Sequence, residues 1–330
     1  MKHNVQLLPS AIEFQASDTV PVLESALAAG IHIAYGCRDG NCGTCKAKVV
    51  RGTVSQPDDL QGLSSLEREA GYILCCRSVP CSALVIEADY YPQLAALQQR
   101  VLPCKVESIR FPAADVAIVR LRMPPGHNFE YLPGQYIDLI TGPVRRSYSI
   151  ANSVLEYEGI ELHIRRIAGG KISGLVFGQL QQDRLLWIEG PVGTFFVRDT
   201  RAPIIFLAGG TGFAPVKAMV TQMLEDNTQR ELLIYWGAQT RAGLYSELPH
   251  QWQDNCANVS YIPVLSGDDS NWSGRRGLVH KAVLEDFSDL SCHEIYACGS
   301  PAMIDAACNE FIAMGAKPDK FFSDAFSPSS

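Results

Sequence analysis

Nine residues constrain this chain more than any others: Cys37-Arg-Asp-Gly-Asn-Cys42-Gly-Thr-Cys45. Three cysteines at Cys-x4-Cys-x2-Cys spacing are the ligand run of a plant-type [2Fe–2S] cluster, which takes a fourth thiolate further along the chain. Gly40, Asn41, Gly43 and Thr44 stand between them. A loop around an inorganic cluster must aim backbone N–H groups at sulfur and adopt φ angles that β-branched residues resist. Glycine and asparagine supply both. The competing readings are a zinc site and buried free thiols. Zinc ribbons favour two Cys-x2-Cys pairs, and only one is present. The fourth thiolate must come from Gly71-Tyr-Ile-Leu-Cys75-Cys76-Arg-Ser-Val-Pro80. Adjacent cysteines in an extended segment face opposite ways, so only one of the two can serve.

At 330 residues the chain has room for two or three domains. Hydrophobic residues make up 47%, enough for real cores, and charged residues 19%, with no long run of one sign. A net charge of −7 and a pI near 5.5 exclude a nucleic-acid surface. No apolar run approaches the ~20 residues of a membrane span, and the first ten residues lack the apolar core of a signal peptide. Eleven cysteines without an export signal argue against a disulfide framework and for the cytoplasm. Four go to the cluster. The other seven (Cys75, Cys81, Cys104, Cys256, Cys292, Cys298, Cys308) read as small buried hydrophobes.

The organisation is multidomain, α+β and then α/β. Residues 1–92 form a small unit. Val5–Leu8 and Ile12–Phe14 make a hairpin, and a helix follows with Asp18 or Thr19 as N-cap and Gly30 at its end. After the cysteine loop come strands at Lys46–Val50 and Leu84–Ala88. Residues 93–102, Gln-rich and bounded by prolines, read as a linker with helical character around Leu94–Leu97. Residues 103–199 carry short alternating strands punctuated by Pro-Gly turns, the pattern of an antiparallel β-barrel. Residues 200–330 alternate apolar strands with helices, which implies a parallel α/β sheet.

Each of the later segments carries a ligand-type motif. Arg146 and Tyr148 stand two apart on a strand and share a face. The first can pair with a phosphate, and the second can lay its ring on a flat heterocycle. Ser149 points the other way. Ala168-Gly-Gly170-Lys-Ile-Ser173 opens a helix whose N-terminus suits phosphate. Pro203–Ala208 is an apolar strand running into Gly209-Gly-Thr-Gly212, where a dinucleotide pyrophosphate meets a helix. A tight structural turn is the alternative there. Tyr296-Ala-Cys298-Gly-Ser-Pro301 follows the last apolar strand of the segment, and a buried inert Cys298 competes with a functional one. The aromatic end, Phe321-Phe-Ser-Asp-Ala-Phe326, must dock either on a cofactor face or on the sheet edge.

These motifs together resemble the iron–sulfur flavoprotein reductases of the ferredoxin–NADP reductase superfamily. Gly71, Tyr72, Leu74 and Pro80 match the frame around the last ligand of plant-type ferredoxins. That match implies Cys76, with Cys37, Cys42 and Cys45, as the metal ligands, on a β-grasp ferredoxin domain. The resemblance further implies an FAD barrel with Arg146 on the phosphates, Tyr148 stacked on the flavin and Ser149 near its reactive nitrogen. Gly170 and Ser173 hold the pyrophosphate. In the NAD domain it implies Gly210, Thr211, Gly212 and Gly299 at the nucleotide, and Cys298 as a catalytic residue beside the nicotinamide. Ser266–Ser270, Val283–Asp286 and the Phe321–Phe326 tail are most similar to the CDP-6-deoxy-Δ3,4-glucoseen reductase family of 3,6-dideoxyhexose synthesis. By that likeness electrons run from NADH to FAD to [2Fe–2S] to a pyridoxamine-phosphate-dependent CDP-sugar dehydrase. The alternative partner is the oxygenase component of a multicomponent oxygenase. Neither nucleic acid nor membrane is implied.

Overall fold

In the computed structural model, residues 1–326 are described. Two compact units emerge, Met1–Gln98 and the chain from Gln99 on. No helix among the described residues is long and apolar enough to cross a membrane.

The first unit is a five-stranded mixed sheet. Strand Lys2–Leu8 pairs antiparallel with Glu13–Ser17, Val5 opposite Phe14, and parallel with Leu84–Glu87. Lys46–Arg51 and Tyr72–Leu74 complete it. The helix is Val22–Ala28, against the hairpin. Its capping differs from the sequence expectation: Pro21 takes the N-cap position and no side chain caps the helix. Asp18 is drawn instead to the N-terminal ammonium, and Thr19 to the Ser17 hydroxyl. Gly30, at φ +73°, follows the last turn as expected. A short helix, Ser65–Glu69, has no apolar face for sequence periodicity to show, although Ser64 and Glu67 form a full capping box. The segment Pro92–Ala96 is a 3-10 helix.

From Gln99 on, six strands form the barrel. The long strand Arg100–Ala113 begins inside the stretch read as linker. Pro103 is tolerated there because only Leu185–Val192 pairs at that point, while the partner on the other side, Val116–Arg122, joins from Lys105 onward. The terminal strands Val144–Ser149 and Ile160–Arg165 meet through an Ile150–Leu162 bridge, which closes the barrel. Val119, Leu121, Ile137, Leu162 and Ile164 fill its core.

Beyond it, Ile204–Gly209 lies central in a parallel sheet. Leu232–Ala238 and Val259–Leu265 lie to one side, Glu294–Gly299 and Phe321–Ala325 to the other. The chain steps outward from the central strand and then crosses back, so the order reverses beside Ile204–Gly209. In such sheets ligands bind outside the strands' carboxyl ends at that reversal. The aromatic tail is the edge strand of this sheet.

Candidate functional site

In the first unit the four cysteines of the expected ligand set gather as two pairs. The Cys37 and Cys42 backbone N–H groups each donate to the other's sulfur, at 3.3 Å. The Cys37 thiol is pushed up by its hydrogen bond to Cys42, and Cys42 is drawn down to about 6 by the same bond. Cys45 and Cys76 form the second pair, with Cys45 pushed up and Cys76 drawn down; the Gly40 N–H also aims at the Cys76 sulfur. Cys75 points away. It is fully buried, and desolvation lifts its thiol to about 12. Among the described residues no three His, Cys, Asp or Glu side chains surround one point that would hold a single ion. Two dithiol pairs are what a two-iron cluster with four thiolates requires.

The glycines between them have steric reasons. Gly43 has φ +74°, and a Cβ there would stand 3.0 Å from the Gly62 carbonyl. The Gly62 N–H in turn donates to the Gly40 carbonyl, and a Cβ on Gly62 would strike the Gly43 nitrogen at 2.6 Å. Gly62 is a member of this cradle that no local sequence signal announced. The seven other cysteines divide. Cys75, Cys104 and Cys298 are buried as expected, but Cys81 and Cys292 are exposed, and Cys256 and Cys308 half-buried. Cys81 and Cys292 stand beside turns rather than in strand interiors.

In the barrel, Arg146 and Tyr148 share the strand Val144–Ser149 and are both half-buried. Tyr148 packs on the barrel core, and burial pushes its phenol up to about 12 against the pull of Arg146. Helix Lys171–Gly178 lies against this strand. Gly170 precedes its first turn, and a Cβ there would stand 2.5 Å from the Ser173 hydroxyl. Ser173 is itself buried, its hydroxyl bonded to the Ile167 backbone. The helix therefore offers its first backbone N–H groups to an anion, with the Ser173 hydroxyl shaping the turn. Asn152 pins the neighbouring corner: its amide bonds the Tyr131 hydroxyl and the Gly159 carbonyl, and its carbonyl oxygen accepts from Glu161 N–H.

The nucleotide motifs, far apart in sequence, touch. Gly210 has φ +53°, Thr211 is buried, and a Cβ on Gly212 would stand 2.1 Å from the Cys298 carbonyl. The glycine turn thus nests on Cys298 and Gly299, at the sheet's switch point. Cys298 is fully buried; desolvation, then the Asp324 charge, hold its thiol well above the ordinary range. Asp324 went unnoticed in the sequence. In register it stands opposite Cys298, and its carboxylate accepts from the Ser149 hydroxyl at 3.2 Å. The tail therefore docks as the sheet edge, and its Asp324 also reaches the barrel strand.

The chain matches three domain families in turn: a 2Fe-2S iron-sulfur cluster binding domain over residues 5–81, an oxidoreductase FAD-binding domain over 103–197 and an oxidoreductase NAD-binding domain over 206–309. A CDP-6-deoxy-L-threo-D-glycero-4-hexulose-3-dehydrase reductase of Yersinia pseudotuberculosis is 49% identical over 100% of both chains. The chain belongs to this family of dehydrase reductases. It is an iron–sulfur flavoprotein oxidoreductase built to carry electrons between NADH, FAD and a [2Fe–2S] cluster. More distant is reductase component 1 of a Comamonas terephthalate 1,2-dioxygenase, 32% identical over 100% of this chain and 98% of the relative. Among solved structures, the Amycolatopsis cytochrome P450 reductase GcoB superposes with a TM-score of 0.79 at 27% identity, covering 99% of the reductase and 100% of GcoB.

Proposed function

We propose that the reductase passes electrons from NADH to a pyridoxamine-phosphate-dependent dehydrase acting on a CDP-6-deoxyhexose, for deoxygenation at C-3. The observation that carries this is the full-length likeness to a dehydrase reductase at 49% identity, against 32% for the dioxygenase component. Flavin and cluster supply the conversion of a hydride's electron pair into single electrons.

The chain's own residues divide the work. Cys37, Cys42, Cys45 and Cys76 hold the cluster as thiolates, and Cys75 stays a buried thiol. Arg146 and the N-terminus after Gly170 hold the FAD phosphates, while Tyr148 lays its ring on the flavin. Ser149, tied to Asp324, keeps a hydroxyl at the flavin edge. Gly210, Thr211, Gly212 and Gly299 admit the nucleotide, and Cys298 borders the nicotinamide as a neutral thiol. The proposed domains are 1–92, 103–199 and 200–330, with the barrel's first strand reaching back to Arg100.

NADH is preferred over NADPH. Asp268 and Asp269 lie just beyond strand Val259–Leu265, where they repel a 2′-phosphate. The nearby cations are engaged: Arg275 with Glu285 and Asp286, Arg276 with the Trp272 carbonyl, Arg241 with the Asn271 carbonyl. Cysteines outside any disulfide suit a reducing cytoplasm. The test is anaerobic reconstitution with NADH, the dehydrase and CDP-4-keto-6-deoxyglucose. A 3,6-dideoxy product is expected; NADH oxidation coupled only to an oxygenase would select the oxygenase reading.

A further inference from the structure

One barrel strand presents a polar face to the nucleotide half. In Ile160–Arg165 the side chains alternate: Ile160, Leu162 and Ile164 enter the barrel core, and Glu161, His163 and Arg165 point the other way. Each meets a different part of the nucleotide half. Glu161 lies 3.2 Å from the Lys217 ammonium, on helix Phe213–Glu225. His163 Nδ1 lies 2.9 Å from the Tyr245 hydroxyl. The Arg165 guanidinium overlies Gly210, so that a Cβ there would stand 2.9 Å from two of its nitrogens.

The proton positions follow from the charges. Burial opposes ionisation of Glu161, but His163, Lys217 and Arg120 outweigh it and hold the carboxyl well below its usual range. A carboxylate 3.1 Å from His163 Nε2 requires the hydrogen on that nitrogen. Burial lowers His163, which stays neutral, so Nδ1 is bare and accepts from Tyr245. The Tyr245 ring then meets Trp236 edge-on, centroids 5.1 Å apart. Trp236 stacks on Phe213 at 4.0 Å and donates its indole N–H to the Gly210 carbonyl at 2.9 Å. Lys217 also donates to the Ala151 carbonyl at 2.9 Å, beside the Arg146–Ser149 strand. An unbroken line of contacts, Glu161 to His163 to Tyr245 to Trp236 to Gly210, joins the barrel to the glycine turn.

We propose that this strand face positions the two halves for hydride transfer, with the His163–Tyr245 hydrogen bond as its adjustable member. His163 and Tyr245 are positioning residues: they act through Trp236 and Gly210. The inference rests on the reading of the glycine turn as the NADH site. Transfer needs reacting atoms within roughly 3–3.5 Å, and misplacement by ~1 Å costs ~10²-fold. Loosening this bond should therefore slow transfer without weakening binding.

Tyr245→Phe removes one oxygen and keeps the ring contacts. His163→Gln keeps a donor for Glu161 and an acceptor for Tyr245. Both are made in the holoprotein and compared by anaerobic stopped-flow flavin reduction and by hydrogen exchange without nucleotide. For Tyr245→Phe the limiting rate should fall about tenfold, within the range for small misplacement. The half-saturating NADH concentration and FAD content should not change, and exchange should rise in 160–165 and 206–214 alone. His163→Gln should stay closer to wild type in both readouts. An unchanged rate and exchange in Tyr245→Phe overturns the proposal. So does loss of protection spread over the whole unit, since that marks a merely structural bond. Adding NAD+ to the wild type should protect 206–214. Failure of that protection overturns the nucleotide-site reading itself, whereas protection alongside an unmoved Tyr245→Phe overturns the positioning role alone.

Discussion

The cysteine loop and the junction of barrel and parallel sheet are built on opposite plans. Three of the four cysteines proposed to hold the cluster come from one loop, and the fourth from one more segment of the same small unit. Their aim is set by local backbone: glycines at positive φ and N–H groups turned toward sulfur. That junction is assembled from distant parts. Ser149 and Asp324 are 175 positions apart, and Lys217 reaches Ala151 across 66. A site made of one loop should fail all at once when a ligand is lost. A site made by docking should fail by degrees, each residue tuning stability, affinity or selectivity.

The largest expected effect is therefore at the cluster. Cys76→Ser removes one member of the Cys45–Cys76 pair, so the purified protein should lack labile sulfide and iron. Cys75→Ser touches a buried thiol outside both pairs, and should keep sulfide and iron. Iron and sulfide counts on the two variants decide between them, and loss in Cys75→Ser alone would invert the ligand assignment.

Next comes the buried ion cluster of the second unit. Lys217 is 4% exposed and bonds Glu156 as well as Glu161. Lys217→Met would leave both carboxylates without their shared cation, and removal of one partner from a buried pair costs about 3–5 kcal/mol. Urea unfolding measures it. The pH dependence has a definite sign. Glu161 titrates lower in the folded chain than its ordinary 4.5, so its contribution is complete above that value and is lost as pH falls below it. The wild type should lose stability steeply on acidification, and Lys217→Met should lose less over the same window. Equal acid slopes for the two proteins would mean that Lys217 does not set the Glu161 charge.

This contrast also explains what the sequence could and could not reveal. The cysteine loop, the hairpin, the barrel strands and the parallel strands were legible because spacing and alternation are local properties. Residues that share a face, such as Arg146 and Tyr148, followed from strand period alone. Asp324 was invisible as a partner of Ser149, since nothing within the tail indicates which strand it will meet. Nothing in the sequence paired Glu161 with Lys217, which the fold buries together. Gly62 was missed for the same reason: its need to lack a Cβ comes from Gly43, on another segment. Even the helix at Ser65–Glu69 shows the limit, because its capping box was present without an apolar face to mark it.

A graded effect is expected at Arg146. Its guanidinium is half-buried and donates only to the Arg145 carbonyl among the hydrogen bonds described, which leaves donors for a phosphate. A charge-assisted contact contributes roughly 1.5–3 kcal/mol, so Arg146→Ala should weaken FAD binding about ten- to hundredfold. Equilibrium titration of the flavin-free protein with FAD checks this, and wild-type affinity would remove Arg146 from the site. The cluster should be unaffected in the same preparation, which is the sharper half of the comparison.

The smallest effect should fall just beyond strand Val259–Leu265, where Asp268 and Asp269 are proposed to set selectivity between NADH and NADPH. Asp268 is fully exposed, 3.9 Å from Arg276, and Asp269 faces Arg241 at 3.7 Å. Exposed charges act through solvent, so each is a modest influence and is screened by salt. Asp268→Ser removes a repulsion and the exposed Arg276 ion pair, while Arg276 keeps its bond to the Trp272 carbonyl. The kcat/KM ratio for NADH over NADPH, measured with a one-electron acceptor that bypasses the partner, should fall about fivefold at low ionic strength and less in high salt. The salt dependence separates repulsion from shape. A ratio that falls equally at both ionic strengths would assign the preference to the contour of the Ser266–Gly267 turn, whose glycine packs against the Gln239 carbonyl. A wild-type preference for NADPH would remove the acidic rim from the account altogether.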